Sequence, residues 1–426
     1  MTLLLFGLFF ALLLLELPVA FAIGVSSSVV VLLSERLPLT FIVSKIFAGL
    51  DSFPLMAIPF YILAGNLMTE GGLTQKIVDF ANALVGHVRG GLAHVSVVSA
   101  AIFSGVSGSA AADTAAIGSI MIPAMKKGGY GADFSVCVVA AACTMGPIIP
   151  PSILFIVYGS LVQVSVGQLF LAGFLPGLVM ALMLMAFAAL MVRRRGYAPS
   201  HARFLARRVV ATLVGAGWAL LVPVIIIGGI VGGWFTPTEA GVIAVVYALL
   251  VSMLVRRTVR IADVPRILVD SAIMTSIVML ILGPATVFGS LLIRDHFPDK
   301  ILAGLGALTS NATLSMFLLV GFVIAAGFVI DVMVLIIMLA YPFAQVAAHH
   351  GYDPIHFGVV FTLAATIGGI TPPVGSLLFV ACSIGRIGLT EGSRAIWPFV
   401  LALVLVNAVL ILFPPLTTIV PRLFFH

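Results

Sequence analysis

Thr144-Met145-Gly146-Pro147-Ile148-Ile149-Pro150-Pro151 closes a run of small and apolar residues that opens at Gly129-Tyr130. Much later, Gly351-Tyr352 opens a similar run that closes on Thr366-Ile367-Gly368-Gly369-Ile370-Thr371-Pro372-Pro373. Tyr and the first Pro are 20 residues apart in both copies (150 − 130 and 372 − 352). In that register Thr144 matches Thr366, Gly146 matches Gly368, and the proline pairs coincide. Apolar segments broken by Gly and Pro at corresponding places in two halves of a chain are the signature of a secondary transporter with a duplicated core.

Composition sets the solvent. Of 426 residues, 62% are hydrophobic and only 8% charged, too little charge to cover a water-facing surface, so the chain is read as an integral membrane protein. Lipid cannot satisfy backbone N–H and C=O groups, which leaves helices or a closed barrel. The length of the apolar runs and their lack of strict alternation select helices, about a dozen membrane segments counting the arms of hairpins and broken helices. Leu3 to Leu15 resembles a signal-peptide core, but no Lys or Arg precedes it and apolar sequence resumes through Leu33. The expectation is a retained first helix bent near Pro18. Cys137, Cys143 and Cys382 sit in apolar runs without metal-ligand spacing and read as small packing residues.

The basic residues orient the chain. Arg193, Arg194, Arg195, Arg203, Arg207 and Arg208 fill one connection; Arg256, Arg257, Arg260 and Arg266 fill another. Two stretches, 212–232 and 237–255, lie between them, so both connections share a face, which the Lys/Arg bias makes cytoplasmic. Counting back through 176–192 and 152–172 places Lys126 and Lys127 inside; counting forward through 268–292 places Arg294 and Lys300 outside. The segment 374–386 then ends inside, with Arg386 and Arg394. In this scheme 16 basic residues lie inside, and Arg36, Lys45, Arg294, Lys300 and Arg422 lie outside. The two Gly-Tyr pairs fall on opposite faces, which makes the copies an inverted repeat. Lipid headgroups and topology account for the basic loops, and no nucleic-acid partner is expected.

Each copy has a second, upstream part. Phe103-Ser104-Gly105-Val106-Ser107-Gly108-Ser109 through Asp113 lies between two apolar arms short for a full span, and Gly327-Phe328-Val329-Ile330-Asp331 lies between arms 312–326 and 332–345. Both read as re-entrant hairpins with polar tips at mid-membrane. Helix ends there expose N–H groups to anions and C=O groups to cations. Pro150 and Pro372 remove an amide donor, which frees carbonyls near Gly146 and Gly368. Hard cations such as Na⁺ take oxygen ligands, so two Na⁺ sites are expected, one per repeat. Thr371 can add a hydroxyl where its counterpart Ile149 offers only a carbonyl. Asp113 and Asp331 are intramembrane carboxylates and hence site candidates, with helix capping as the alternative role.

At these residues the chain resembles the large membrane subunit of the tripartite ATP-independent periplasmic (TRAP) transporters, the DctM-like family. The specific pieces are Ser107-Gly108-Ser109 through Ile122-Pro123-Ala124-Met125-Lys126-Lys127-Gly128-Gly129-Tyr130, Ile149-Pro150-Pro151-Ser152, Phe235-Thr236-Pro237-Thr238-Glu239-Ala240, Asp353-Pro354-Ile355-His356-Phe357-Gly358 and Thr371-Pro372-Pro373-Val374-Gly375. The resemblance implies a Na⁺-driven importer of a small organic acid in the bacterial cytoplasmic (inner) membrane. It implies a small four-helix membrane subunit and a soluble periplasmic binding protein as partners, and an elevator motion of a transport domain against a scaffold. Carried onto this sequence, one Na⁺ site involves Ser107, Gly146, Ile149 and Pro151. The other involves Gly327, Asp331, Gly368, Thr371 and Val374. Substrate is expected between the tips, near Ser109, Asp113, Ser152 and Gly375. Ala111 stands where some relatives carry a polar residue, so a carbonyl or water must replace that ligand.

The expected organisation is an all-α, inverted-repeat membrane transporter with two re-entrant hairpins and two broken helices. Residues 1–91 are read as N-terminal scaffold helices and an interfacial arm. Residues 92–175 form repeat 1 and 312–395 repeat 2, each a hairpin plus a broken helix. Scaffold and connecting arms fill 176–311, and a C-terminal helix 396–426. Thr236-Pro237-Thr238-Glu239 reads as a capped helix start. A stand-alone Na⁺/carboxylate symporter is the nearest alternative. Gly105-Val106-Ser107-Gly108 also matches the short pattern of rhomboid-type intramembrane serine proteases, but that chemistry needs a base on the hydroxyl, and no His lies obviously inside a later span. No residue is expected to make or break a covalent bond.

Overall fold

The computed structural model describes residues 1–34, 37–197 and 204–425; the calls on Arg36 and Arg203 lie outside them. Among the described residues the chain is helical throughout, without strands. The first half holds α1 (Thr2–Leu14), α2 (Val19–Leu33), α3 (Thr40–Leu50), α4 (Ala57–Glu70), α5 (Leu73–Val85), α6 (Gly91–Ser107), α7 (Ala110–Lys127), α8 (Ala132–Cys143), α9 (Ile153–Val162) and α10 (Val166–Arg194). The second holds α11 (Ala206–Val231), α12 (Pro237–Leu250), α13 (Val264–Arg294), α14 (Phe297–Leu308), α15 (Ala312–Ala326), α16 (Val332–His349), α17 (Pro354–Ile370) and α18 (Ser376–Gly385). α19 (Leu389–Ala395), α20 (Trp397–Leu412) and α21 (Pro415–Phe424) end the chain.

The two hairpins are α6–α7 and α15–α16, and the two broken helices are α8–α9 and α17–α18. One offset of 222 residues relates them: Ser109 and Asp331 cap the second hairpin arms, Gly129 and Gly351 turn with φ of 83° and 80°, and the cis bonds Pro150-Pro151 and Pro372-Pro373 fall in the two breaks (331 − 109, 351 − 129, 372 − 150). The copies point in opposite directions. At one face Lys126 Nζ, ending α7, donates to Gly385 O, ending α18, at 2.9 Å. Gly131 N–H there donates to Tyr197 Oη at 3.0 Å, and Arg195 pairs with Asp133 at 2.7 Å, so the first Gly-Tyr shares the face of the arginine cluster. At the other face Tyr158 Oη donates to Pro354 O at 2.9 Å, and His356 Nδ1 meets Thr417 Oγ1 at 2.7 Å.

Two expectations change. Residues 152–172 and 176–192 are not two crossings: α9 stops at Gln163, which takes a left-handed φ of 61°, and α10 then runs unbroken through Pro176. Ser165, accepting from Gln168 N–H at 3.3 Å, sets the start of α10, so the boundary drawn at 175/176 falls inside a helix. A proline within a membrane helix costs one backbone bond that packing neighbours offset. Nor does the N-terminus form one bent helix: α1 and α2 are separate and pack together, with Pro18 capping α2.

Two bodies result. α4 packs on α12, α5 on α11, and α2, α3 and α4 on α13. α10 and α20 pack on each other and on α17, and α10 also packs on α6 of the first hairpin. α8 is buried from Phe134 to Cys143 and α17 from Ile355 to Ile370, so helices apolar on all sides form the centre. Thr236 caps α12 in a reciprocal box with Glu239, as its sequence leads one to expect.

Candidate functional site

The first tip is built by a reversal. α6 ends at Ser107, Gly108 turns the chain at a φ of 64°, and Ser109 starts α7, its hydroxyl accepting from Ala112 N–H at 3.4 Å. A Cβ at Gly108 would run into Pro151 O, so glycine is required twice over. One turn into α7, Asp113 is wholly buried, accepting from Ser104 Oγ at 2.9 Å and from Ser107 Oγ. Gly146 lies against it, for a Cβ there would sit 2.6 Å from Asp113 Oδ2. Ile153 N–H, just past the break, donates to Gly108 O at 3.3 Å.

The second tip repeats the arrangement with other residues. Val374 N–H, just past its break, donates to Phe328 O at 3.2 Å. Gly327 and Gly368 touch through their main chains. Asp331 caps α16 by accepting from Met333 N–H at 3.0 Å, and takes Ser376 Oγ at 3.3 Å. Thr371 is buried and donates its hydroxyl to Ile367 O at 2.6 Å, leaving its oxygen lone pairs free. Gly375 sits left-handed before α18.

Both breaks leave oxygen unsatisfied. Among the described residues the carbonyls of Gly146, Ile149, Pro151, Gly327 and Val374 accept no hydrogen bond, and Gly146, Pro151 and Gly327 are buried. Buried carbonyls are ordinarily paired, so an orphaned set marks a place that suits a cation. Carboxylate, hydroxyl and carbonyl oxygens are the donor set a hard cation takes.

The tips converge on one cavity of about 410 Å³. Ser107 to Ala112 line it from hairpin 1, Asp331 to Met333 from hairpin 2, and Thr366, Ser376 and Leu377 from the second broken helix. The scaffold closes it with Ile62, Gly65, Asn66 and Thr69 of α4 and Met274, Ile277 and Val278 of α13. Of the residues expected at substrate, Ser109 is on the wall and Gly375 adjoins Ser376. Asp113 lies behind the tip instead, beside Ser107 and Gly146. Ser152 is buried as the cap of α9, accepting from Phe155 N–H at 3.1 Å. Asp331, expected at a cation, also faces the cavity. The scaffold wall was missed because α4 and α13 carry no motif there. Ser107 offers its hydroxyl to a carboxylate and not to a histidine, which removes the basis for serine-protease chemistry.

Between α4 and α13 a second space of about 440 Å³ shares Asn66, Thr69, Met274 and Ile277 with the cavity and reaches Glu70 and Asp270. Arg266 bridges those carboxylates at 3.1 and 3.7 Å, which places this second space beside the N-terminal turn of α13.

The family model for the tripartite ATP-independent periplasmic transporter, DctM component, matches residues 6–416. The chain belongs to the DctM family. This DctM chain is 35% identical to the sialic acid TRAP transporter large permease protein SiaM of Vibrio cholerae over 98% of its own length and 97% of SiaM. It is 35% identical to the C4-dicarboxylate TRAP transporter large permease protein DctM of Rhodobacter capsulatus, over 99% of both. Its fold resembles the crystal structure of the Alcanivorax borkumensis YdaH transporter, with a TM-score of 0.63 at 14% identity over 87% of this chain and 86% of that one. The DctM chain is a multi-pass membrane transport protein and not an enzyme.

Proposed function

We propose that this chain is the large permease subunit of a Na⁺-coupled tripartite importer of a small organic acid. In this reading a soluble periplasmic binding protein delivers the acid, and a small four-helix membrane subunit completes the complex in the bacterial inner membrane. The observation that carries it is the convergence of two oppositely directed hairpin tips, each pressed on a broken helix, at one cavity. The relatives' names, a sialic acid and a C4-dicarboxylate permease, support an acid as cargo.

Ser107, Asp113, Gly146, Ile149 and Pro151 would hold one Na⁺; Gly327, Gly368, Thr371 and Val374, with Asp331, would hold the other. Na⁺ draws each tip onto its broken helix, and the ordered tips then present Ser109 and the start of α7 to the acid. Linkage makes the coupling reciprocal: an acid that binds the Na⁺-loaded form better must raise Na⁺ affinity by the same factor. In this reading the neighbouring space lined by Glu70 and Asp270 supports an inward-facing form, and an elevator shift of the repeat body against the scaffold would carry the site to the other face.

Uptake into proteoliposomes tests the reading. Transport should require a Na⁺ gradient, the small subunit and the loaded binding protein together. Uptake by this chain alone would replace the tripartite mechanism with a stand-alone symporter.

A further inference from the structure

We propose that Ser52 and Ser160 form a latch that holds the repeats against the scaffold in this form and must open before the site can pass to the other face. The proposal deepens the permease reading above and rests on it.

Ser160 lies in the last turn of α9, at the end of the fold that carries Tyr158 and Pro354 and away from the arginine cluster. Ser52 lies between α3 and the single turn Phe53–Met56 that leads into α4. Their hydroxyls meet at 2.7 Å. Each serine is fixed to its own part of the fold. Leu55 N–H donates to Ser52 O at 3.0 Å, and Thr238 of α12 donates its hydroxyl to Phe53 O at 3.2 Å, which ties the Ser52 turn to the scaffold. Ser160 belongs to the first broken helix, and the side-chain amide of Gln163 donates to its carbonyl where α9 ends.

The rest of the seam is suited to sliding. Among the described residues, Ser52–Ser160 is the one hydrogen bond between the scaffold residues 19–85 and 206–294 and the repeat residues 91–162 and 312–385. No ion pair joins the two sets among the described residues. Elsewhere glycine lets the helices lie close: a Cβ on Gly65 of α4 would be 3.3 Å from Ser107 Cα at the tip of hairpin 1, and one on Gly105 of α6 would be 3.3 Å from Pro223 Cβ of α11. Van der Waals contacts of this kind have no preferred direction, so a helix moved along its neighbour exchanges one set for another. A hydrogen bond has no such freedom. A separation of about 3.6 Å already ends it, and a shift of one helical turn, about 5.4 Å, would part the hydroxyls. The bond is also weak enough to open in every cycle, since a neutral pair shifts an equilibrium by about two- to tenfold. Once parted, the buried Ser160 hydroxyl can turn to the carbonyl of Ile156 one turn back, and the half-buried Ser52 can reach water.

The test uses the full chain in membrane vesicles of known orientation. Ser52→Cys with Ser160→Cys is oxidised by copper phenanthroline, and the disulfide is counted by mass spectrometry; the native cysteines are buried. Ala111→Cys, exposed on the cavity wall at hairpin 1, reports through an impermeant thiol reagent which face the cavity opens to. The pair should close, closure should abolish labelling of Ala111→Cys from the outer face, and reduction should restore it. Ser160→Ala should raise outer-face labelling by about two- to tenfold, with thermal unfolding measured alongside to show that the fold is kept. A pair that does not close, or that closes and leaves outer-face labelling as it was, would overturn the latch. So would Ser160→Ala with that labelling unmoved. These outcomes leave the permease reading standing, because Na⁺-dependent uptake by the unaltered chain decides it separately. Outer-face labelling absent from the unlatched chain in NaCl and KCl alike would overturn both, since a site that never reaches the outer face cannot import.

Discussion

Gly327 and Gly368 meet main chain to main chain: a Cβ on Gly368 would lie 2.5 Å from Gly327 Cα, and one on Gly327 would lie 2.8 Å from Gly368 Cα. The tip of hairpin 2 therefore rests directly on its broken helix, with backbone atoms on both sides that cannot swing away. Gly368→Ala should force the two apart, costing about 1–3 kcal/mol of stability as other overpacked sites do, and should weaken the Na⁺ dependence of uptake. Gly321→Ala, which meets nothing within 4 Å, should change neither. Thermal unfolding and Na⁺-titrated uptake of the two variants make the comparison. Equal behaviour would show that the contact is not tight in the working protein.

The repeat was legible because Gly and Pro punctuate a sequence whatever solvent surrounds it. Gly129 and Gly351 need their left-handed turns, and the proline pairs interrupt α8–α9 and α17–α18 where the register placed them. The division drawn between 172 and 176 is absent because Pro176 lies within α10, and a proline marks a break only when the neighbouring packing cannot absorb it. Asp113 was not legible as a buried group. Its placement behind the tip depends on Ser104 and Ser107 of α6 and on Gly146 of the first break meeting at one point, and sequence distance carries no trace of that. The scaffold wall was hidden for a membrane-specific reason: lipid and a protein neighbour are both apolar, so α13 shows no periodic difference between its cavity side and its outer side.

The opposed directions of the repeats predict a labelling pattern. Lys127 and His349 are exposed at the ends of the second hairpin arms, while the native cysteines Cys137, Cys143 and Cys382 are buried. Lys127→Cys should react with an impermeant thiol reagent only from the cytoplasmic side, and His349→Cys only from the other. Labelling of both from one side would dissolve the inverted relation.

At the C-terminal end of α13, Asp295 anchors the start of α1. Partial burial pushes its carboxyl up, but the Lys300 ammonium at 2.7 Å and the hydroxyl and amide of Thr2 outweigh that and hold it well below the usual carboxylate range. A depressed carboxylate stabilises the fold above its unfolded value and loses that contribution only as pH falls through the native one. Docking of α1 should therefore be unchanged between about pH 5 and 8 and weaken only in stronger acid. Asp295→Asn should loosen α1 already at neutral pH. Hydrogen exchange in α1 measures this, and protection lost between pH 7 and 5 in the unaltered chain would contradict it.

Asp113 supplies the sharpest test of the first cation site. Two serine hydroxyls point their protons at it, Gly146 closes it in, and no basic side chain is among its described partners. A buried carboxylate left without a counter-charge is costly, and in the proposed cycle Na⁺ provides that charge. Asp113→Asn keeps the shape and removes the charge, so folding should survive while the Na⁺ concentration for half-maximal uptake rises at least about tenfold, a loss of roughly 1.4 kcal/mol in cation binding. Ser104→Ala removes one hydrogen bond to the carboxylate and leaves its charge in place, so its effect should be smaller and in the same direction. Na⁺-titrated uptake into proteoliposomes, checked against thermal stability for each variant, separates the outcomes. If Asp113→Asn left the titration unmoved while Ser104→Ala shifted it, the carboxylate would be a structural cap of the tip, and the first cage would have to be built from the hydroxyls and the open carbonyls alone.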